Sequence, residues 1–538
     1  MVSAAVVAAV AEHQELDNLV SALGGNRLPL REPCMEGTRN DILQAIETEV
    51  KNAGGHNMIW IRGSPGAGKS ALASSILIRL QDQDRHVISF RFDRTQSTTI
   101  TTDALWRVVA CDLAHLYPSF HQHLVKHDQW RSSPGIDYLF EDLIVKPLSS
   151  LDDVPREELP VIVIDALDEC GGLRHDSSAK DDYEGLLRTL KRWVQVDHLK
   201  KFKLVITSRP EDPITKMFPD SVSTHVNIPS GSEVKPEDSA SDDIRAFLKS
   251  RFDTMRMEPA WIAKALDYLV PRATGIFIWA TTAAEFLQVN PRVRLPMLQS
   301  KSDGKGLKSL YSLYSSVVKT SFGSDLEAEE IKAITSVMGA MIFAKKPLDD
   351  EALIVLPGVK SQDMLRFIRS GLVSVIDSGP ILHFHHRSFE DFVLSSSFSQ
   401  DLPEFAAVQD RDRHERQLAV LCLNTMASSA LHFNICGLKT SDIRNRDIPA
   451  TDKSAISPLL SYSCRFWADH LVCTPCEHTL MEVVQFVMYD KLLFWMEVMS
   501  VSGRAHEAVA ILKRTLEWPE LKACCSLVCH GTYLMLAG

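Results

Sequence analysis

The sequence predicts an α/β fold, a parallel sheet covered by helices, and three observations predict it. Five short apolar, β-rich runs lie at residues 58–61, 87–92, 161–164, 204–206 and 225–228. Helical patterns such as ALASSILIRLQ and DALWRVVACDLAHL separate the first of these runs, an alternation that builds parallel sheets with helices on both faces. Directly after the first run stands GSPGAGKS, a glycine-rich pattern at a strand-to-helix turn.

A chain of 538 residues is too long for one hydrophobic core. The pattern divides it into five regions: an N-terminal helical lead-in at 1–50, the α/β domain at 51–230, a helical domain at 231–324, a winged-helix domain at 325–400 and a C-terminal helical region at 401–538. In the lead-in, MVSAAVVAAVAEHQ reads as an amphipathic helix, because it lacks the basic start of a secretory signal. NDILQAIETEV, just upstream of the first run, has helical spacing. The turn formers of residues 229–243, PSGSEVKPEDSASDD, predict a linker. Residues 325–396 read as helix, short helix, helix, then two short strands, VSVID and ILHFHH, joined by Ser378, Gly379 and Pro380 and closed by a helix starting near Ser388. From about residue 400 the chain reads helical, with no internal repeat. It is therefore expected to be a core without a repeat sensor of its own.

Composition excludes several classes. With 45% hydrophobic and 24% charged residues the chain is ordinary globular protein, not a disordered one. A net charge of −11 argues against a general nucleic-acid binder, which needs clustered Lys and Arg. Eleven irregularly spaced cysteines make no disulfide scaffold and favour reduced thiols. Cys473 and Cys476, with His478 behind them, form a CxxC without a second ligand pair, so they read as helix-end cysteines rather than a zinc site. No apolar run reaches the roughly 18 residues of a membrane span. The chain is expected to be cytoplasmic.

The chemistry lies at three strand ends. Gly63, Ser64, Pro65, Gly66, Ala67, Gly68, Lys69 and Ser70 complete the GxxxxGK[ST] pattern. Its glycines let backbone N–H groups turn inward around phosphate oxygens, and the following helix aims its positive end at the same anion. Lys69 is placed to reach the β- and γ-phosphates and Ser70 to ligate Mg²⁺. In VIVIDALDE, four apolar β-branched residues make a buried strand with an acidic cluster at its carboxyl end, where α/β sheets hold ligands. Asp165 is the candidate Mg²⁺ holder, and Asp168 or Glu169 the residue that orients or activates a water. In VITSRP a third buried strand ends in a polar trio, from which Arg209 could contact a γ-phosphate and tell triphosphate from diphosphate. The fold class is thus an α/β P-loop NTPase followed by helical, winged-helix and C-terminal helical regions.

In order and spacing, GSPGAGKSALASSI, VIVIDALDEC and VITSRP resemble the Walker A, Walker B and sensor segments of fungal NACHT NTPases, a branch of the STAND signal-transduction class that includes NOD-like receptor proteins. REPCMEGTR resembles the lead-in segment that borders the adenine site in that family. HHRSFEDFV is similar to its winged-helix motif, and LSYSCRFWADHL and LLFWMEVMSVSG to the helical region that follows. Ala166 stands where animal relatives have glycine. The resemblance implies that His386 donates a hydrogen bond to the β-phosphate of ADP. The residues alone also allow a turn cap there and, with His383, His385 and His386 so close together, an assignment that is off by one. Taken together, the expectation is an ATP/ADP- and Mg²⁺-binding switch with slow hydrolysis that self-associates on activation. The alternative is a turnover ATPase or kinase-type enzyme on the same fold.

Overall fold

The structure is a computed structural model. It describes residues 27–518 apart from positions 97–99, 128–129, 131–134, 152, 171–176, 236, 300–304, 324, 377–378, 380, 441–442, 444, 446–447, 450–452, 476 and 517. The helix expected at the N-terminus and the turn residues Ser378 and Pro380 therefore lie outside the described residues, as does Cys476. Two compact units divide the chain, Met1–Leu313 and Tyr314–Gly538.

The first unit is built on five parallel strands, β1 Met58–Gly63, β2 Val87–Arg91, β3 Val161–Asp165, β4 Lys203–Ser208 and β5 Thr224–Ile228, in the order β2-β3-β4-β1-β5. Each expected strand is present. The central strands β3 and β4 are buried along their whole length, as their continuous apolar runs require. Alternate residues feed two cores. Met58, Trp60, Ile162, Ile164, Leu204 and Ile206 pack on one face, while Ile59, Ile61, Val161, Val163 and Val205 pack on the other. The first face is covered largely by α3 (Thr102–Leu116), which Thr101 caps through the Ala104 amide. The second is covered by α1 (Asn40–Lys51) and α2 (Lys69–Gln81).

After β5 come α4 (Ser239–Thr254), α5 (Pro259–Ala273) and α6 (Phe277–Gln288). Within residues 229–243, expected to be a linker, the first part is anchored while Ser232, Glu233, Lys235 and Glu237 are exposed. The Ser230 hydroxyl donates to Ser64 Oγ at 2.7 Å, and the Gly231 amide to the Thr274 carbonyl at 2.8 Å. Turn-rich composition here marks a tight one-turn helix, Gly231–Glu233, rather than a loose tether. Gly231 packs beside Gly306, where a Cβ on it would make ordinary contact at 3.6 Å with the Gly306 Cα.

The second unit is helical. Its first part holds α7 (Ala328–Phe343), a short helix Asp350–Ile354, α8 (Gln362–Leu372) and α9 (Arg387–Val393). Where two strands were expected, the described residues show one antiparallel bridge, Ile376 to Phe384, with the His385 amide donating to the Val375 carbonyl at 3.0 Å. The helices α10 (Arg411–Ala427), α11 (Pro458–Leu471), α12 (His478–Asp490), α13 (Leu492–Val501) and α14 (Ala505–Thr515) follow.

Candidate functional site

The phosphate loop leaves the end of β1 and turns into α2 through two residues with positive φ, Gly66 at 74° and Gly68 at 95°. Both dihedrals suit glycine alone without strain. A Cβ on Gly68 would meet nothing within 4 Å, so an open space faces it at the start of α2. Lys69 folds back over the loop, its ammonium donating to the Gly63 and Ser64 carbonyls at 2.9 and 3.0 Å. Burial lowers its pKa to about 8, against the pull of Asp168, Asp165 and Glu169 and with the help of Arg209. Those same four side chains are the ones singled out at the ends of β3 and β4. The fold thus brings the lysine and the three acids and arginine into one site.

Asp165 ends β3 and is fully buried. Thr207, at the neighbouring position on β4, donates from Oγ1 to Asp165 Oδ1 at 2.6 Å and accepts from the Ala166 amide at 2.9 Å. Burial pushes the Asp165 carboxyl up from its ordinary range, opposed by the Thr207 and Ser70 hydroxyls and then by Arg91 and Arg31. Its second oxygen, Oδ2, is buried and makes no hydrogen bond. A buried carboxylate oxygen left unpaired beside a serine hydroxyl is what a hard cation with oxygen ligands fits. Ser70 and Asp165 are the residues that would hold Mg²⁺.

The turn after Asp165 passes through Ala166 at φ 60°, the left-handed region, where glycine would sit without strain. It places Asp168 against β4. The Arg209 amide donates to Asp168 Oδ1 at 3.0 Å, and its guanidinium lies 3.3 Å from Oδ2. Asp168 and Arg209 are therefore partners of each other here.

His386 caps α9. Its Nδ1 accepts from the Ser388 backbone amide at 3.0 Å, and the Ser388 hydroxyl lies 2.7 Å from the same nitrogen. An amide can only donate, so the ring proton sits on Nε2. Tyr314 stands behind this cap, its hydroxyl 2.8 Å from Ser388 Oγ. His383 is a different case, with Nδ1 at the Ile381 carbonyl, 3.2 Å away, in an exposed setting.

Sequence reasoning missed several supports of the site. Thr207 and Ser230 were unassigned, and so was Arg39, whose guanidinium is buried against the loop. A threonine one strand over from the acid, in register, was the signal available for Thr207.

A five-stranded parallel sheet with a phosphate loop after β1, a buried acid ending β3 and an arginine after β4 is the arrangement of a P-loop NTPase domain, and the chain is similar to proteins of the NACHT and STAND type. Residues 37–209 match the family model of the nephrocystin 3 N-terminal region. The chain is similar to the vegetative incompatibility protein HET-E-1 of Podospora anserina, 24% identical over 492 residues, which is 85% of this chain and 34% of that protein. It thus spans about a third of that relative's length. Among solved structures, a STAND protein with a tetratricopeptide repeat sensor from Pyrococcus horikoshii aligns over 93% of this chain and 67% of its own, at 15% identity and a TM-score of 0.38. The Aeropyrum pernix ORC2 protein in its ADPNP–ADP complexes aligns over 72% and 96%, at 13% identity and a TM-score of 0.32. No helix of the described residues is long and apolar enough to cross a membrane.

Proposed function

We propose that the chain is an ATP/ADP-binding regulatory switch, one that hydrolyses slowly and signals by conformation and self-association. The observation that carries this reading is the cluster around the phosphate loop. A lysine held at the loop's own carbonyls and a buried acid with an unpaired oxygen form a site completed by a phosphate and a cation. Lys69 would leave Gly63 and Ser64 for the phosphates. Arg209 would exchange Asp168 for the γ-phosphate, releasing Asp168 and Glu169 to orient the attacking water. When bound, Mg²⁺ supplies charge neutralisation at the phosphate oxygens. In this reading the helical, winged-helix and C-terminal regions, 231–324, 325–400 and 401–538, act as the moving parts. His386 donates from Nε2 to the ADP β-phosphate in a closed form, the tautomer that its Nδ1 cap favours. ATP in place of ADP then favours an open, self-associating form.

Steady-state turnover, measured with light scattering on the same sample, tests the reading. Slow turnover with retained ADP, and scattering that rises with ATP, is the expected result. Fast turnover without change in scattering would instead indicate a turnover ATPase. The known P. anserina relative is an incompatibility protein by name, and a role of that kind for this chain is part of the proposal.

A further inference from the structure

Arg39 sits immediately before α1 in an unusual and costly setting. Its φ is 57°, its side chain is almost wholly buried, and its Nε makes no hydrogen bond. Burial lowers its pKa, with Asp243 acting in the opposite sense. One guanidinium nitrogen, NH2, donates both to the Ala67 carbonyl at 3.1 Å and to the Gly275 carbonyl at 3.2 Å. The first belongs to the phosphate loop and the second to the turn that starts α6. Asp243 of α4 accepts from the Arg39 amide at 3.2 Å and lies 3.9 Å from Nε, and the Phe277 ring of α6 lies 4.9 Å from the guanidinium carbon.

A peptide plane ties these contacts to the ligand. In a trans peptide the C=O of one residue and the N–H of the next point in opposite directions. By holding the Ala67 carbonyl, Arg39 fixes the plane that carries the Gly68 N–H and turns that N–H away from itself. The neighbouring plane is held from the same side, because the Ile278 amide of α6 donates to the Gly66 carbonyl at 3.1 Å. That contact needs a glycine, since a Cβ on Gly66 would lie 1.9 Å from Ile278 Cγ2. Two successive peptides of the loop are thus oriented from the helical side, and Arg39 also grips that side at Gly275 and Asp243.

We propose that Arg39 is a positioning residue that aims the phosphate-loop amides and carries nucleotide occupancy of the loop to α4 and α6. This rests on the nucleotide-binding reading above. It goes further by naming the contact through which the helical segment feels the ligand. Phosphate that draws on the Gly68 N–H shifts the plane that Arg39 holds, and the same nitrogen transmits the shift to Gly275.

The test uses the full chain, with ADP and Mg²⁺ as probe, calorimetric affinity and hydrogen exchange over residues 276–288 as readouts. The parent is expected to bind and to gain protection over 276–288. Arg39→Gln, folded as judged by circular dichroism, should bind at least about 10-fold more weakly, the scale of one lost charged hydrogen bond. Its remaining binding should give no gain of protection at saturation. Arg39→Lys, which keeps the charge and one donor, should recover part of both. If Arg39→Gln binds as the parent does with the same gain, the proposal is wrong. If Arg39→Gln does not fold, Asp243→Asn decides, because it loosens Arg39 while leaving the carbonyl bonds. A reduced gain supports the proposal and an unchanged one overturns it. A parent that binds no ADP at all removes the underlying reading, a result distinct from either.

Discussion

Two buried ionic clusters, one in each unit, are built from similar groups and finished differently. In the second unit, Glu415 of α10 and His470 of α11 are both fully buried. A directional chain closes around them. The Lys345 amide donates to the Tyr462 hydroxyl at 3.1 Å, that hydroxyl donates to His470 Nε2 at 2.7 Å, and His470 Nδ1 donates to Glu415 Oε2 at 2.6 Å. The other carboxylate oxygen, Oε1, makes no hydrogen bond but has the Lys345 and Arg411 cations at 3.5 Å each. In the first unit, Asp165 has Thr207 on one oxygen and no hydrogen bond on the other, and Lys69 rests on backbone carbonyls. Each cluster leaves one carboxylate oxygen without a hydrogen bond; the one balanced by two cations fixes a fold, whereas the one with no ion pair among the described residues is suited to completion by a ligand.

Opposite responses to mutation would sharpen this contrast. Glu415→Ala breaks the closed network and leaves the buried His470 donor without an acceptor. It should cost about 3–5 kcal/mol in denaturant unfolding of the chain. A loss under about 1 kcal/mol would break the comparison.

His386 has Nδ1 committed to the α9 cap, and its proposed role is to donate from Nε2 to ADP. His386→Ala should raise the ADP off-rate by about 10- to 150-fold, from the 1.5–3 kcal/mol of a hydrogen bond to a charged group. It should also increase light scattering. His383→Ala, whose ring faces its own Ile381 carbonyl, should do neither. Equal off-rates for the parent and His386→Ala would reduce the histidine to a cap.

Removing the uncompensated charge should have the reverse sign of Glu415→Ala. The folded Asp165 carboxyl is raised, so its ionised form destabilises the ligand-less fold at neutral pH. Asp165→Asn should therefore raise the melting temperature without nucleotide by about 2–4 °C, for a gain of roughly 1 kcal/mol. It should at the same time abolish any Mg²⁺-dependent shift. A lower melting temperature would mean that Asp165 is already compensated.

The smallest effect concerns pH. Burial, opposed by the hydrogen bond and charge of Glu415, holds His470 below its ordinary pKa, so the unfolded chain takes up a proton that the folded one refuses. The stability from this network is full above about pH 6.5 and declines as pH falls below it. His470→Gln should flatten that decline in pH-dependent urea unfolding. An identical profile in parent and variant would place the titration elsewhere.

How far the sequence could be read follows from the range of the contacts. The five strands were legible because each apolar run is local, and Lys69, Asp165 and Arg209 because strand ends collect ligands in this architecture. Arg39 was not, since its bond to Gly275 joins residues 236 apart and no periodicity records it. Ser230 was hidden by composition. A run of turn formers reads as a tether, yet Gly231 takes a positive φ of 72° and Ser230 bonds Ser64 across 166 residues. Among the described residues the expected winged hairpin shows the Ile376–Phe384 bridge, because alternation predicts extended backbone without fixing how many pairs form.

Isothermal titration of ADP and ATP with Mg²⁺ into the parent and Lys69→Ala tests the central claim most directly. Lys69 bonds only to loop carbonyls in its own turn, so its removal should leave the circular dichroism spectrum unchanged. The account predicts saturable binding by the parent and none detectable by the folded variant. Equal affinity in the two proteins would contradict it.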